Sequence, residues 1–256
     1  MGRLARDYLP ADLEAVAGPL QVTGSIVVQA RQSLAESRWL LELAATHPFI
    51  RGVVGWVDLR CDTVADDLAP LAVEQNFVGV RHVVQDEPDP RFLLRDDFLR
   101  GLHTLHQFGL TYDLLVFPHQ LPAAVELAGR LPEQPFVLDH LAKPPVKTGM
   151  LAGWEKDLRA LARHDNVCCK LSGLVTEADW NDWQPDDFSR CLEVALEAFG
   201  PHRLMAGTDW PVCLLAAEYA EVWDIVEQKI AQLSAAEQFA IRGGTASRFY
   251  GVRQEL

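Results

Sequence analysis

Two short apolar runs of the sequence end in side chains that could do acid–base chemistry. Asp209 directly follows the run Arg203–Thr208, and His140 ends the run Phe136–His140. A carboxylate in this position can act as a general base or bind a metal, and an imidazole can do either. Read singly, each residue could instead be a helix cap or a structural hydrogen-bonding group. Together they indicate a candidate reaction centre.

Four further polar residues lie at or near the ends of such runs. Arg81 could bind a carboxylate or a hydroxyl-rich substrate, unless it pairs with one of the acidic residues that follow it. His119 could bind a ligand or substrate, or begin a helix. Lys143 could stabilise an anion or remain solvated. A lysine within a buried strand is unusual unless it is paired or functional, which makes Lys170 notable.

Other common reaction centres have little support in this sequence. The serine-hydrolase motif G-x-S-x-G and the nucleotide-binding motifs GxGxxG and GxxxxGK[ST] are absent. The five cysteines form no CxxC pair, and we expect all of them to be reduced thiols without a neighbouring base. Trp180 and Trp183 could line a pocket mouth or pack in the core.

The apolar pattern alternates between short runs, typical of strands buried on both faces, and longer helical segments. This alternation predicts one α/β domain over residues 1–256 with a parallel sheet, most simply a (β/α)8 barrel; a doubly wound sheet is the alternative. The predicted strands are Val22–Gln29, Gly52–Leu59, Phe77–Val83, Thr111–Phe117, Phe136–His140, Asn166–Leu171 and Arg203–Thr208.

The number of predicted strands is seven, whereas a closed barrel of this kind has eight. The first recognisable element is a short helix near Pro10–Val16, and two helices follow the last strand. The shortfall therefore lies at the N-terminus. A further helix begins after Ser33, where Glu36 completes a predicted S-x-x-E capping box.

Composition limits the kinds of partner. The formal net charge is −13 and the isoelectric point about 5.0, which argues against nucleic acid or an anionic membrane surface as the main partner. The first residues lack the apolar run of a secretory signal, and no stretch approaches the roughly 18 apolar residues of a membrane span. We therefore expect a cytoplasmic protein that acts on a small molecule, with homo-oligomer formation left open.

Several of these segments, in this order, resemble the sugar-lactone hydrolase branch of the amidohydrolase superfamily. They are Gly52–Leu59, Gly79–His82, the run Phe136–Pro144 that contains LDHLAKP, and the TDWP segment Thr208–Pro211. The resemblance extends from about Asp7 to Val252. It implies a (β/α)8 barrel of the metal-dependent-hydrolase type that opens a lactone such as L-fucono- or L-rhamnono-lactone.

By this resemblance Asp209 is the general base, and His140 polarises the carbonyl or holds a metal. The substrate-binding candidates are Arg81, His82, His119, Lys143 and Trp210. Two other functions stay open. One is a metal-dependent decarboxylase of the same superfamily, and the other is a catalytically inactive or truncated barrel that acts as a binding protein.

The sequence departs from the family at its start. The family's first strand carries a His-x-His pair, and this sequence contains no His-x-His. The eighth strand that the count lacks is the strand that would carry the His-x-His pair. We therefore expect a truncated or misassigned start. Asp209, His140 and His119 remain as candidate ligands for a divalent, zinc-type metal, and metal-independent hydrolysis is the other possibility.

Overall fold

The computed structural model describes residues 2–253 and contains one parallel sheet of seven strands in sequence order. The strands are β1 (Ser25–Val28), β2 (Ile50–Gly55), β3 (Phe77–His82), β4 (Thr111–Leu114), β5 (Phe136–Leu138), β6 (Val167–Leu171) and β7 (Leu204–Ala206). All seven predicted strands are confirmed. The observed strands are mostly shorter, because the chain turns away from the sheet at the carboxyl ends.

Helices connect successive strands, which is why the strands can run parallel. They are α1 (Pro10–Ala17), α2 (Leu34–Thr46), α3 (Val64–Ala72), α4 (Asp96–Gln107), α5 (Leu121–Arg130), α6 (Ala152–Leu161), α7 (Ser189–Phe199), α8 (Tyr219–Ile230), α9 (Ala235–Phe239) and α10 (Thr245–Tyr250). A π-helical turn, Ala240–Gly244, joins α9 to α10. Within residues 2–253, no helix has the length and apolar character needed to cross a membrane.

The sheet has the strand order of a (β/α)8 barrel with one strand fewer. Each strand pairs with its sequence neighbours, and the pairing recorded for residues 2–253 runs from β1 to β7 without joining these two. The seven-strand prediction is thus confirmed. Outside the sheet, α1 packs against α8, so the segments that flank the two edge strands meet.

The start of α2 differs in detail from the prediction. The Ser33 hydroxyl accepts a hydrogen bond from the Glu36 amide at 3.2 Å, as a capping box requires. The Glu36 carboxylate, however, accepts from the amides of Ala30 and Arg31. The Ser33 amide is already bound to the Arg31 carbonyl, so the second half of the predicted box is wrong.

Three separate apolar clusters hold the fold together. The largest lies between the sheet and the helices. A small one joins α1 to α8. The third combines strand residues such as Val54, Val137 and Met205 with Tyr250 from α10. Asp139 lies two residues beyond Val137, and Lys170 lies two residues beyond Cys168 of the same cluster. Because side chains alternate along a strand, these polar residues face the same interior as the apolar ones.

Candidate active site

His140 and Asp209 come together at the carboxyl end of the sheet. His140 Nε2 lies 3.5 Å from Asp209 Oδ1, and the side chains are 10% and 22% exposed. His140 follows β5 and Asp209 follows β7, so the contact spans the intervening strand β6. A carboxylate and an imidazole at this spacing can both reach one water molecule or one reacting group.

The backbone that presents these two residues is strained. Residues 140–143 all have φ between 51° and 56°, and Asp209 has φ 58°. This left-handed region costs a non-glycine residue about 1–2 kcal/mol. The turn 140–143 is secured by the Trp154 indole, which donates to the Leu141 carbonyl at 2.6 Å. Strain of this kind at non-glycine residues is typical of functional sites.

Residues that follow β6 hold the His140 ring. Ser172 Oγ lies 2.8 Å from His140 Nδ1, which leaves Nε2 facing Asp209. Gly173 has φ +68°, and a Cβ on it would lie 2.7 Å from the His140 Cβ. Burial lowers the pKa of His140 although Asp209 opposes this shift, so the ring is neutral at neutral pH.

A second pair of charged residues forms the rim of the site. Lys143 Nζ lies 3.8 Å from Glu177 Oε1 and 5.4 Å from the ring centre of Phe117. The exposed ring of His119 stacks on Phe117 at 6.2 Å. Burial raises the pKa of Glu177 against the charge of Lys143, and the carboxylate of Asp209 adds to the rise. Such a mixture of charge and ring surface can bind a polyhydroxylated ring.

Arg81 and Lys170 both form ion pairs with buried carboxylates, deeper in the sheet than Lys143 and Glu177. Arg81 Nη1 lies 2.9 Å from Asp139, and Lys170 Nζ lies 2.6 Å from Asp139 and 2.5 Å from Asp113. Arg81 does not pair with the acidic residues that follow it in sequence, because β3 turns its side chain toward β5. The expectation that Lys170 would be paired agrees with its two carboxylate contacts.

His82 and Trp210 have other surroundings. His82 follows Arg81 on β3, so it faces the opposite side of the sheet. There its Nε2 lies 2.6 Å from Glu87 Oε1 and its ring stacks on Phe92. The Trp210 ring meets Tyr8 edge-on at 5.0 Å, against the N-terminal segment. The structure therefore places Lys143 in the same turn as His140 and His119 beside Lys143 through the Phe117 ring, whereas His82 and Trp210 pack against other elements.

Three residues of the site were not singled out from the sequence: Ser172, Gly173 and Glu177. Ser172 and Gly173 directly follow a strand, which is the signal that could have identified them. Glu177 had no such signal, since it ends a short 3₁₀ turn, Val175–Glu177, in the loop beyond that strand. In the same loop, the Trp183 indole donates to the Ala216 carbonyl, and Trp180 is 40% exposed with its indole bound to Thr176.

The geometry does not supply a full set of metal ligands. Among residues 2–253, no three His, Cys, Asp or Glu side chains are arranged to hold a metal ion. His140 and Asp209 form a pair, and the predicted third ligand, His119, does not join them. Zinc is usually held by three or four protein ligands, so residues 2–253 do not supply a complete zinc site.

The five cysteines are free thiols. Burial raises the pKa of Cys168 to about 11 and that of Cys191 and Cys213 to about 12. A thiol with so high a pKa supplies little thiolate at neutral pH. This result agrees with the weak sequence support for a thiol nucleophile.

A curled parallel sheet with acid–base residues at its carboxyl ends defines an enzyme-type barrel of the (β/α)8 class. Comparison with known proteins makes the assignment more specific. The family model described as Amidohydrolase matches residues 2–252. This chain belongs to that family.

The similar proteins include two curated relatives named L-fucono-1,5-lactonase. The one from Burkholderia multivorans is 46% identical over 263 aligned residues, which cover 98% of this chain and 88% of the relative. The one from Burkholderia ambifaria is 34% identical, with 96% and 86% covered. Both cover nearly the whole chain, as the sequence resemblance had indicated.

Comparison with solved structures also identifies amidohydrolases. A crystal structure of an amidohydrolase from Burkholderia multivorans with bound HEPES matches with a TM-score of 0.95 and 45% identity, covering 99% of this chain and 92% of that one. A second crystal form of that protein, with bound zinc, gives the same values. The expected family, fold class and lactone-hydrolysing type of enzyme are confirmed.

Proposed function

We propose that this protein hydrolyses the ring ester of a sugar lactone, with L-fucono-1,5-lactone as the expected substrate. The observation that carries the proposal is the contact between His140 and Asp209 at the carboxyl ends of β5 and β7. The names of the two curated relatives support the choice of substrate.

Asp209 is the proposed general base. Its carboxylate takes a proton from water, and the water oxygen forms a bond to the lactone carbonyl carbon. The bond between that carbon and the ring oxygen then breaks, and the ring oxygen takes the proton from Asp209. The product is the open-chain hydroxy acid, and Asp209 returns to its ionised form.

His140 is proposed to stabilise the carbonyl oxygen as negative charge develops on it. In this proposal the Ser172 hydroxyl donates to Nδ1, which it contacts at 2.8 Å, so the neutral ring carries its proton on Nε2, which faces Asp209. A donor fixed in advance at a buried site is worth about 10²- to 10³-fold in rate. Hydrolysis through these residues involves no step at a metal.

The rim is proposed to recognise the sugar hydroxyls. Lys143 can donate to them and Glu177 can accept from them, while Phe117 and His119 offer ring faces. Arg81 remains bound to Asp139, so we assign it to the support of the site and not to substrate.

The proposal is tested by proton release on addition of L-fucono-1,5-lactone, with an aromatic carboxylic acid and carbon dioxide detection run in parallel. We expect lactone opening with kcat/KM of about 10⁴ M⁻¹s⁻¹ or more, and no carbon dioxide. Decarboxylation without lactone opening would contradict the proposal, and so would the absence of any turnover.

Removal of metal is a separate arm of this assay. Because the described residues bring no third ligand to the His140–Asp209 pair, we expect activity to persist after dialysis against a chelator. Loss of activity that zinc alone restores would show that a metal is needed, and would return His140, Asp209 and His119 to the role of ligands.

A further inference from the structure

A chain of buried polar contacts crosses the interior of the sheet beneath the candidate site. Lys170 Nζ contacts Asp113 at 2.5 Å and Asp139 at 2.6 Å. Arg81 contacts the other oxygen of Asp139 at 2.9 Å. The Tyr250 hydroxyl, from the last helix, donates to Asp113 at 2.9 Å. We call these five residues the interior charge network.

The network is balanced in charge. It holds two cations, Arg81 and Lys170, and two carboxylates, Asp113 and Asp139; both carboxylates are fully buried. A buried charge is tolerated only when it is paired and hydrogen-bonded. Burial raises the pKa of Asp113 to about 6, and the opposing charge of Lys170 limits this rise. The Tyr250 hydroxyl donates to the same carboxylate.

The network reaches the candidate site through Asp139. This residue directly precedes His140, the first residue of the left-handed turn 140–143. Asp139 Oδ2 accepts a hydrogen bond from Arg81, and Asp139 Oδ1 is ion-paired with Lys170. The contacts of Asp139 therefore fix the start of the turn from the interior of the sheet, while Ser172 fixes the His140 ring through Nδ1.

We propose that Lys170 and Tyr250 are positioning residues for the hydrolytic reaction. Lys170 holds Asp139 so that the turn directs His140 toward Asp209, and Tyr250 holds Asp113 so that Lys170 stays in place. The inference rests on the proposed function, to which it adds the residues that align the reacting pair. The competing explanation is that the network serves only folding.

The first test is the double variant Asp113→Asn/Lys170→Met. Each single change leaves an unpaired buried charge and could prevent folding, whereas the double change removes one positive and one negative charge together. We expect a folded protein in which kcat is about 10- to 100-fold lower and KM changes less than twofold, because His140 is misplaced while the rim is intact. A matched control is Glu193→Gln/Lys229→Met, which removes a surface pair at 2.8 Å. Its kcat should equal that of the wild type.

The second test is Tyr250→Phe, which removes one hydroxyl and keeps the ring packed. We expect a several-fold loss of kcat with unchanged KM, and a lower melting temperature because the buried Asp113 carboxylate loses one hydrogen-bond donor. Combined with Asp113→Asn/Lys170→Met, it should cause no further loss of kcat, because both changes act through the same contacts. Wild-type kcat in a folded Asp113→Asn/Lys170→Met variant, or in Tyr250→Phe, would overturn the proposal.

An activity-independent measurement separates this proposal from the proposed function. The ring ¹⁵N resonances of His140 should shift in both variants, while those of the exposed His119 should not. If the wild type opens no lactone but the His140 resonances shift, the substrate assignment fails and the positioning role stands. Unchanged His140 resonances would overturn the positioning role whatever the activity.

Discussion

At the scale of single residues, backbone conformation and ring support converge on the same two side chains. His140 and Asp209 both adopt positive φ without being glycine. Other interactions must offset the conformational strain of this backbone. For His140, the hydrogen bonds made by Trp154 and Ser172 stabilise the strained turn. The strained turn serves to direct the His140 imidazole at the carboxylate of Asp209, which follows a non-adjacent strand.

Glu177 provides a test of the rim at this scale. Glu177→Gln keeps the shape of the side chain and removes its charge, so a sugar hydroxyl loses a charged acceptor. We expect KM to rise about 10-fold, equivalent to about 1.4 kcal/mol, with kcat changed less than threefold. The control is Glu197→Gln, a surface partner of Arg159. An unchanged KM for the lactone would remove Glu177 from substrate recognition.

The sequence identified His140 and Asp209 because each stands directly after an apolar strand. It could not show that His140 lies in a left-handed turn, since no glycine occurs among residues 140–143 to signal one. It also could not show which candidates share a face of the sheet. His82 and Arg81 are neighbours in sequence, yet one packs against Phe92 and the other against Asp139.

At the scale of elements, the segment after β6 is the main support of the site. Gly173 allows this segment to pass close to His140, which a side chain would prevent. The sequence predicted β6 itself from its apolar pattern. The path of the chain after it depends on contacts with the turn 140–143, which are distant in sequence and leave no local pattern.

The role of this segment can be tested with two glycine substitutions. Gly173 and Gly149 both have φ +68°, but a Cβ at Gly149 would meet nothing within 4 Å. Gly149→Ala should therefore cost only about 1–2 kcal/mol of backbone strain, with kcat unchanged. Gly173→Ala should cost about 1–3 kcal/mol more through overlap, and should lower kcat. Equal urea unfolding energies and equal kcat for the two variants would show that the close approach to His140 is unimportant.

The sequence predicted helices and strands well where the apolar periodicity is strong. It predicted them poorly where a local departure from regular backbone geometry interrupts an element. The C-terminal pattern predicts one helix over Ala235–Phe249, whereas the structure divides it by the π-helical turn Ala240–Gly244. Two consecutive glycines, Gly243 and Gly244, lie in that turn and favour such a departure from regular geometry.

At the scale of the whole molecule, burial of charge connects stability to pH. Burial lowers the pKa of His82 and of His140, against the opposing charges of Glu87 and Asp209 respectively. For each residue the unfolded chain, with a pKa near 6.5, binds a proton more readily than the folded protein does. The contribution of these two residues to the free energy of unfolding should therefore fall as pH decreases below about 6.5, while Asp113, whose pKa burial raises to about 6, contributes in the opposite direction.

Urea unfolding between pH 7.5 and 5 measures this dependence. His82→Asn should weaken the dependence on pH, because one of the two buried histidines is gone, while His119→Gln should leave it unchanged because His119 is exposed. An equal pH dependence of the free energy of unfolding in the wild type and in His82→Asn would contradict the assignment of the His82 ring as neutral in the fold.

The number and order of the strands were predictable because each β-rich run is bounded by turn residues or charges. The interior charge network was only partly predictable. The sequence indicated that a buried Lys170 is either paired or functional, but its partners lie elsewhere in the chain: Asp113 is on β4, Asp139 follows β5, and Tyr250 comes from the last helix. Asp113, Asp139 and Lys170 meet because β4, β5 and β6 are neighbours in the sheet, and the packing of α10 against the sheet adds Tyr250.

The most direct test of the central claim compares the wild type with Asp209→Asn in the opening of L-fucono-1,5-lactone at neutral pH. Asparagine keeps the shape of the side chain and removes the base, so kcat should fall about 10²- to 10⁴-fold while the protein stays folded. The exposed Asp182→Asn is the control and should keep full activity. An Asp209→Asn protein with kcat within threefold of the wild type would contradict the assignment of Asp209 as the base that activates water.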